Sequence, residues 1–252
     1  MELVVVDYAL LAAITLFAAL TQAATGFGFA IIALPLFLAV TGSLGAVVLT
    51  IILNLIVSLV LLRRLWRQAP RGELSRLALG SLVGFPIGLY AFLHASLDAV
   101  RLAVGLIILG FALWLLLLQR RLRRPGHGFR GGRGVDLAVG LVSGTLATSL
   151  AMPGPPVMLY LSAAGMEKMA LRACTLCLFT LSYAAALAMQ AGAVAIADEV
   201  WLAALVTGPL AVLGALLGDR MAPLLDERLF RGIVLAILIA TGAYTTYAAV
   251  TA

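Results

Sequence analysis

Two polar interruptions inside long apolar stretches carry most of the side chains that could do chemistry in this 252-residue chain. The first lies in the stretch LTQAATGFGFAIIALPL and supplies an amide, a hydroxyl and a glycine pair, at Gln22, Thr25, Gly26, Phe27 and Gly28. Glycine accepts positive φ, so this Gly-Phe-Gly step permits a sharp reversal of the chain. An amide is costly in hydrocarbon, which places Gln22 toward the protein interior. We predict a helix break here, with free backbone N–H groups over residues 26–29.

The second interruption is the run SLAMPGPPVMLY at Ser149–Tyr160. Ser149 supplies a hydroxyl group here. A short stretch rich in proline and glycine follows, at Met152, Pro153, Gly154 and Pro155. Proline removes a donor and clashes in a helix interior, so residues 153–156 predict a second break. A helix that begins after each break aims its free N–H groups and positive dipole end at the break. Two such ends that face each other near the membrane midplane predict an anion site.

Further polar side chains lie on the plain apolar segments. Asn54 and Ser58 share one face at i, i+4 spacing, and hydroxyls recur on the matching segment of the second half at Thr175, Ser182 and Tyr183. These groups could bind an anion or join helices to one another, and the sequence leaves both roles open. Arg172 is the ionisable residue expected nearest the interior, where it would attract an anion or else extend to the membrane surface. The predicted substrate-binding set is Gln22, Thr25, Gly26, Phe27, Gly28, Asn54, Ser149, Met152, Pro153, Gly154, Pro155 and Arg172.

The composition is that of a helical membrane protein. Apolar residues make up 63% of the chain and charged residues 11%, against about a quarter charged in soluble domains. The net charge of +6 is carried in the loops between apolar segments, which indicates membrane topology rather than nucleic-acid binding. The sequence shows neither a carboxylate in the middle of a predicted crossing nor a His/Cys cluster. We therefore expect neither an enzyme nor a bound cofactor or metal.

The apolar segments form two related halves. The segments are Tyr8–Val40, Leu44–Leu62, Leu74–Leu93, Leu97–Leu118, Val135–Ala164, Met169–Gln190, Val200–Leu217 and Leu229–Val250. Gly84, Gly88 and Arg101 recur about 130 positions later as Gly214, Gly218 and Arg231, a weak internal symmetry typical of transporters. We predict a first repeat at 1–118, a basic cytoplasmic linker at 119–134 and a second repeat at 135–252. The glycine-spaced faces suit helix packing within the chain or in a homodimer.

The lengths of the interrupted segments and the distribution of charge predict the topology. Helices over Tyr8–Val40 and Val135–Ala164 would extend about 50 and 45 Å, too long for one crossing of a ~30 Å core and too short for two. If each interrupted segment returns to the side of the membrane where it began, sixteen Lys and Arg residues lie inside and one lies outside. If each segment crosses the membrane once, eleven of these residues lie inside and six lie outside. The predicted fold is an all-α polytopic membrane protein of two inverted repeats. Each repeat is one broken, re-entrant helical hairpin plus three transmembrane helices, and both termini lie outside.

At these interruptions the chain resembles the TauE/SafE family of sulfite and organosulfonate exporters. The resemblance rests on TGFGFAIIALP at Thr25–Pro35 and GLVSGTLATSLAMPGPPVMLY at Gly140–Tyr160, within a duplicated apolar architecture covering nearly the whole chain. It departs from the family where residues 152–155 read Met-Pro-Gly-Pro, since glycines are common there. The resemblance implies a carrier of small sulfur-containing anions in the bacterial inner membrane.

These observations together predict a secondary transporter that moves sulfite, sulfoacetate or another organosulfonate by alternating access, as one half rocks against the other. Its expected partners are the small anion, the lipid bilayer and a possible second copy of the chain. Three alternatives remain open: a passive anion channel on the same fold, a non-transporting membrane scaffold or assembly factor, and a carrier of another small anion such as a carboxylate.

Overall fold

In a computed structural model, residues 4–121, 132–221 and 227–251 of the chain are described. They form ten α-helices: α1 Val5–Thr25, α2 Phe29–Thr41, α3 Gly45–Leu65, α4 Arg71–His94, α5 Leu97–Arg121, α6 Arg133–Leu150, α7 Gly154–Ala163, α8 Lys168–Ala193, α9 Asp198–Met221 and α10 Glu227–Thr251. A short 3₁₀ turn, Trp66–Gln68, follows α3. Most of the predicted basic linker, residues 122–131, lies outside the described residues.

Long apolar helices make this a polytopic membrane protein. Among the described residues, α1, α3, α4, α5, α8 and α9 are long and apolar enough to cross a membrane. Large apolar side chains such as Leu79 and Leu205 point outward, as suits a surface in contact with lipid. The predicted all-α polytopic fold is confirmed, whereas the inverted orientation of the repeats stays a prediction.

The first predicted break separates α1 from α2. Gly26 and Gly28 have φ values of 87° and 113°, which only glycine adopts readily. A Cβ at Gly26 would also lie 2.6 Å from Cγ of Arg172, so a side chain is excluded by space as well as by φ. The Gly-Phe-Gly step therefore reverses the chain as its sequence predicts.

The second break lies slightly earlier than predicted. The helix α6 ends at Leu150, and Ala151 adopts a left-handed φ of 54° without being glycine. Gly154, Pro155 and Pro156 do not break a helix but form the first turn of α7. Proline is tolerated there because the first N–H groups of a helix have no intrahelical partner.

Each broken segment consists of one long and one short helix. The 21 residues of α1 extend about 31 Å, enough for one crossing, and the 13 residues of α2 about 20 Å. In the second half, α6 extends about 27 Å and α7 about 15 Å. In each broken segment the first helix is thus longer than the second.

The glycine-spaced helices pack against the broken segment of the opposite half. On α4, Cβ atoms at Gly80 and Gly84 would lie 2.1 and 2.2 Å from the Leu137 and Leu141 carbonyl oxygens of α6. On α9, Gly214 makes the equivalent approach to Leu16 of α1. These glycine faces serve packing within the chain, which is one of the two roles that the sequence allowed.

Hydroxyl groups strengthen the contact between α4 and α6. Ser81 donates a hydrogen bond to the Gly140 carbonyl at 3.0 Å, and Thr148 donates to the Phe85 carbonyl at 2.9 Å. With α3 packed on α8 and α5 on α10, the two sequence halves interlock rather than forming separate units.

We expect Gly84→Ala to destabilise the protein, because the new methyl would meet the Leu141 oxygen and the Thr145 nitrogen at 2.2 and 2.7 Å. Overpacking of this kind costs about 1–3 kcal/mol, measurable as a lower free energy of unfolding in detergent. The matched control is Gly110→Ala on α5, where no described atom lies within 4 Å of the added carbon. It should be neutral or gain up to about 1 kcal/mol from helix propensity. Equal losses in both variants would contradict the proposed contact.

Candidate functional site

A buried amide pair lies beside the first break. Gln22, one turn before Gly26 on α1, and Asn54, midway along α3, are both fully buried. Nε2 of Gln22 donates to Oδ1 of Asn54 at 2.6 Å and lies 3.4 Å from the Ser58 hydroxyl. Oε1 of Gln22 accepts the backbone N–H of Phe29, the first residue of α2, at 3.2 Å. The amide thus satisfies a helix N-terminus that would otherwise lie unpaired in an apolar interior.

The same hydrogen bonds continue to the second break. Nδ2 of Asn54 donates to the Tyr183 hydroxyl of α8 at 2.7 Å, and that hydroxyl donates to the Ala151 carbonyl at 3.1 Å. Tyr183 is also fully buried. We call Gln22, Asn54 and Tyr183 the polar bridge, since they join the Phe29 N–H at one break to the Ala151 carbonyl at the other.

The helices that carry the polar bridge determine its position. Gln22 and Asn54 meet because α1, α2 and α3 pack together, and Asn54 meets Tyr183 because α3 packs on α8. Phe179 lies one turn before Tyr183, contacts its ring edge-on at 5.9 Å and lies against Gly154. Aromatic packing therefore holds the tyrosine beside the start of α7.

The two breaks present different backbone groups to the polar bridge. At the first break the group is an N–H at the start of α2; at the second it is the Ala151 carbonyl beyond the end of α6. Pro155 and Pro156 have no N–H, so the first turn of α7 offers few donors. The contacts therefore do not match the expectation of two equivalent helix N-termini facing one anion.

Several predicted site residues stabilise the breaks themselves. The Thr25 hydroxyl donates to the Thr21 carbonyl at 2.8 Å and accepts the Phe27 N–H at 3.3 Å. The Phe27 ring packs edge-on against Phe111 of α5 at 5.7 Å. These contacts fix the first turn locally, and Thr25 and Phe27 are not part of the polar bridge.

The second break is fixed in a similar way. The Ser149 hydroxyl donates to the Thr145 carbonyl of its own helix at 2.7 Å. The N–H of Met152 donates to the Leu146 carbonyl at 3.0 Å, and the Pro153 carbonyl accepts the Ser143 hydroxyl at 2.8 Å. Ser149 is therefore not brought to the polar bridge, although the sequence placed it in the substrate shell.

Arg172 lies beside the first break, but it is paired. One guanidinium nitrogen donates to the Ala23 carbonyl near the end of α1 and to Asp219 of α9 at 2.8 Å. Asp219 also binds Arg64, at the end of α3, at 2.9 Å. The Arg172 side chain is 11% exposed, and its charge is favourable at the C-terminus of α1. We call Arg64, Arg172 and Asp219 the Asp219 cluster.

Comparison with known proteins identifies a family for this chain. The sequence model of the family described as Sulfite exporter TauE/SafE matches residues 11–245, nearly the whole chain. The chain belongs to the TauE/SafE family. Comparison with curated proteins and with solved structures gives no match. The predicted family is confirmed, and the protein is a multi-pass membrane protein of a family of anion exporters.

A second ionic cluster in this TauE/SafE protein was missed by the sequence reasoning. Asp136, in the first turn of α6, is 2% exposed and accepts hydrogen bonds from Arg76 of α4 and the Tyr160 hydroxyl of α7. An acidic residue at the start of an apolar helix was the available signal, because the N-terminal dipole favours it. Its partners lie 60 and 24 positions away and have no local pattern that reveals them.

The polar bridge can hydrogen-bond an oxyanion, because its amide groups carry N–H donors that rotate with the side chain. Within the described parts of the chain, no group of three His, Cys, Asp or Glu side chains is close enough to hold a metal. The polar bridge itself consists of neutral side chains, so the chemistry that it offers is hydrogen bonding in a buried setting.

We expect Tyr183→Phe to lower the free energy of unfolding, because it removes the hydroxyl shared by Asn54 and the Ala151 carbonyl. Each buried group left unpaired costs about 1–3 kcal/mol, which denaturation in detergent will measure. Tyr90→Phe is the matched control, since Tyr90 is 66% exposed on the outer face of α4. A stability equal to that of the unaltered protein would show that the hydroxyl is not needed to join the breaks.

Proposed function

We propose that this protein is a secondary transporter that carries a small sulfur oxyanion, such as sulfite, sulfoacetate or another organosulfonate, across the bacterial inner membrane. The observation that carries the proposal is the polar bridge, a run of buried hydrogen-bonding groups that joins two broken helices. Irregular backbone is tolerated at membrane depth where it lines a binding site or is satisfied by protein. Membership of the sulfite exporter family supports the same substrate class.

The anion would bind on the first-break side of the polar bridge. The N-terminus of α2 supplies a partial positive charge and the Phe29 N–H, while the amides of Gln22 and Asn54 supply further donors. In the structure these groups bond to one another. Substrate binding would exchange those contacts for bonds to the anion, with the amides rotating rather than being left unpaired.

The interlocked packing changes how alternating access is best described. The sequence halves cannot move as rigid bodies without separating α1 from α9 and α4 from α6. We infer instead two bodies that mix the halves: α1, α2, α3 and α9 in one, and α4, α6, α7 and α8 in the other. The Asn54–Tyr183 hydrogen bond joins the two bodies. A substrate that replaces this bond would therefore couple its own binding to the relative motion of the bodies.

The Asp219 cluster also joins these two bodies, nearer to the end of the molecule where α8 begins. Arg172 belongs to α8, whereas its partners Ala23 and Asp219 belong to α1 and α9. Opening on this side would break these contacts, while opening on the opposite side would leave them intact. The cluster is thus a candidate closure at the end of the molecule where α8 begins.

Long-range contacts support the proposed orientation. The Asp219 cluster brings together the end of α3, the beginning of α8 and the end of α9, which the positive-inside count assigns to the cytoplasmic side. The end of α1 lies beside Arg172, near the beginning of α8. The end of α6 lies beside Gln190, near the end of α8, where the Gln190 side chain donates to the Thr148 carbonyl at 2.8 Å. Those positions are about 27 Å apart along α8. We propose on this basis that the hairpins are inserted oppositely and that both termini are periplasmic.

The substrate site is tested by sulfite binding and counterflow in proteoliposomes with the double variant Gln22→Ala/Asn54→Ala. Hydrogen bonds to a charged ligand contribute about 1.5–3 kcal/mol each, so the affinity should fall tenfold or more. The matched control is Gln190→Leu, which removes another fully buried amide on α8, away from the polar bridge. Size-exclusion and thermal unfolding confirm that both variants fold.

Unchanged sulfite affinity in the folded double variant would remove the polar bridge from the proposed site. A similar loss in Gln190→Leu would show that the effect is general destabilisation. Sulfite flux without counterflow in the unaltered protein would indicate a passive channel instead of a carrier.

The orientation is tested by single-cysteine labelling after Cys174 and Cys177 are replaced by alanine. Lys168→Cys should react only with reagent that reaches the cytoplasm, and Asp198→Cys should react from the periplasm. These residues begin α8 and α9, so each reports one end of the bundle. The reverse pattern, or labelling of both from one side, would contradict the opposite insertion of the two hairpins.

A further inference from the structure

An open groove runs along the outside of the bundle, apart from the polar bridge. It has a volume of about 1320 Å³ and lies between α3, α8 and α9, with the start of α4 at one end. Its walls are apolar, and Leu59, Leu181 and Leu216 are 49, 40 and 41% exposed. Such a surface on a membrane-spanning bundle faces lipid tails rather than water.

One end of the groove is basic and aromatic. Arg63, Arg64 and Arg71 line it together with Trp66, which is 50% exposed. Of the three arginines, Arg64 pairs with Asp219, whereas no acidic partner of Arg63 or Arg71 is found among the described residues. The positive-inside count places this end at the cytoplasmic surface, where anionic lipids gather.

We propose that this groove is a binding site for one anionic phospholipid of the cytoplasmic leaflet. The acyl chains lie along the leucine-lined walls, and Arg63 and Arg71 bind the phosphate of the headgroup. Trp66 lies at the level of the headgroups, where indole rings are favoured in membranes. Charge complementarity selects a lipid over a second copy of the chain, which would bring its own arginines to the same face.

The site is connected to the proposed closure of the transporter. Arg64 lines the groove and holds Asp219, whose other oxygen holds Arg172 beside the first break. A lipid phosphate in the groove therefore competes with Asp219 for Arg64. Lipid binding and the contacts of the Asp219 cluster are coupled through this one side chain.

Quenching of Trp66 fluorescence by brominated lipids tests the proposal in the full-length protein. Trp114 and Trp201 are first replaced by phenylalanine, so that Trp66 is the remaining indole. Brominated phosphatidylglycerol should quench it at a lower mole fraction than brominated phosphatidylcholine. Arg63→Gln/Arg71→Gln should reduce that preference by roughly fivefold for each arginine removed. Arg101→Gln/Arg133→Gln removes two charges from outside the groove and should leave the preference unchanged.

Equal quenching by the two lipids, or an equal loss in both double variants, would overturn the phospholipid site. Full competition by millimolar inorganic phosphate would identify a site for free anions instead. Protection of Trp66 from both lipids, together with a dimer in light scattering, would show that a second copy covers the groove.

Discussion

The structure depends on satisfying the backbone groups that two helix breaks release inside a membrane. An unpaired N–H or carbonyl costs several kcal/mol in hydrocarbon, so each break needs partners from elsewhere in the chain. Gln22 accepts the free N–H that begins α2, and Arg172 donates to a carbonyl near the end of α1. Tyr183 and Ser143 donate to the carbonyls of the second break. The polar groups buried around the breaks are therefore first a structural requirement, and under the proposed function a substrate would bind by exchanging their bonds.

The parts of this arrangement that follow from local sequence were predicted, and the parts that need distant partners were not. Glycine spacing and segment length predicted the first break, because positive φ at Gly26 and Gly28 is a property of those residues alone. Gln22 and Asn54 were identified because an amide in an apolar helix needs a partner. Ala151 gave no such signal, since its left-handed φ depends on the surrounding packing, and so the second break was placed two residues late.

Long-range pairings explain the remaining differences. The sequence suggested a packing role for the glycine-spaced helices without indicating that each would support the hairpin of the other half. Close approach of α4 to α6 requires a lack of side chains on both surfaces, and Gly140 and Gly144 on α6 complete that match. The burial of Asp136 likewise depends on Arg76 and Tyr160, which only the folded chain brings together. The internal symmetry of the sequence thus indicated which helices of the two halves correspond, but not which helices contact each other.

Interlocking of the halves limits which parts of the structure can move against one another. Tight glycine packing makes α4–α6 and α1–α9 rigid pairs, since interfaces of close-packed backbone deform little. The contacts between the inferred bodies include hydrogen bonds of the kind at Asn54–Tyr183, which have a net stabilising effect of about 1 kcal/mol each. An oxyanion that replaces such a bond with a charge-assisted one supplies a similar amount of free energy. Under the proposed mechanism this gain offsets the hydrogen-bond part of the cost of moving the bodies, while the packing of α3 on α8 must be exchanged for other contacts as the bodies move.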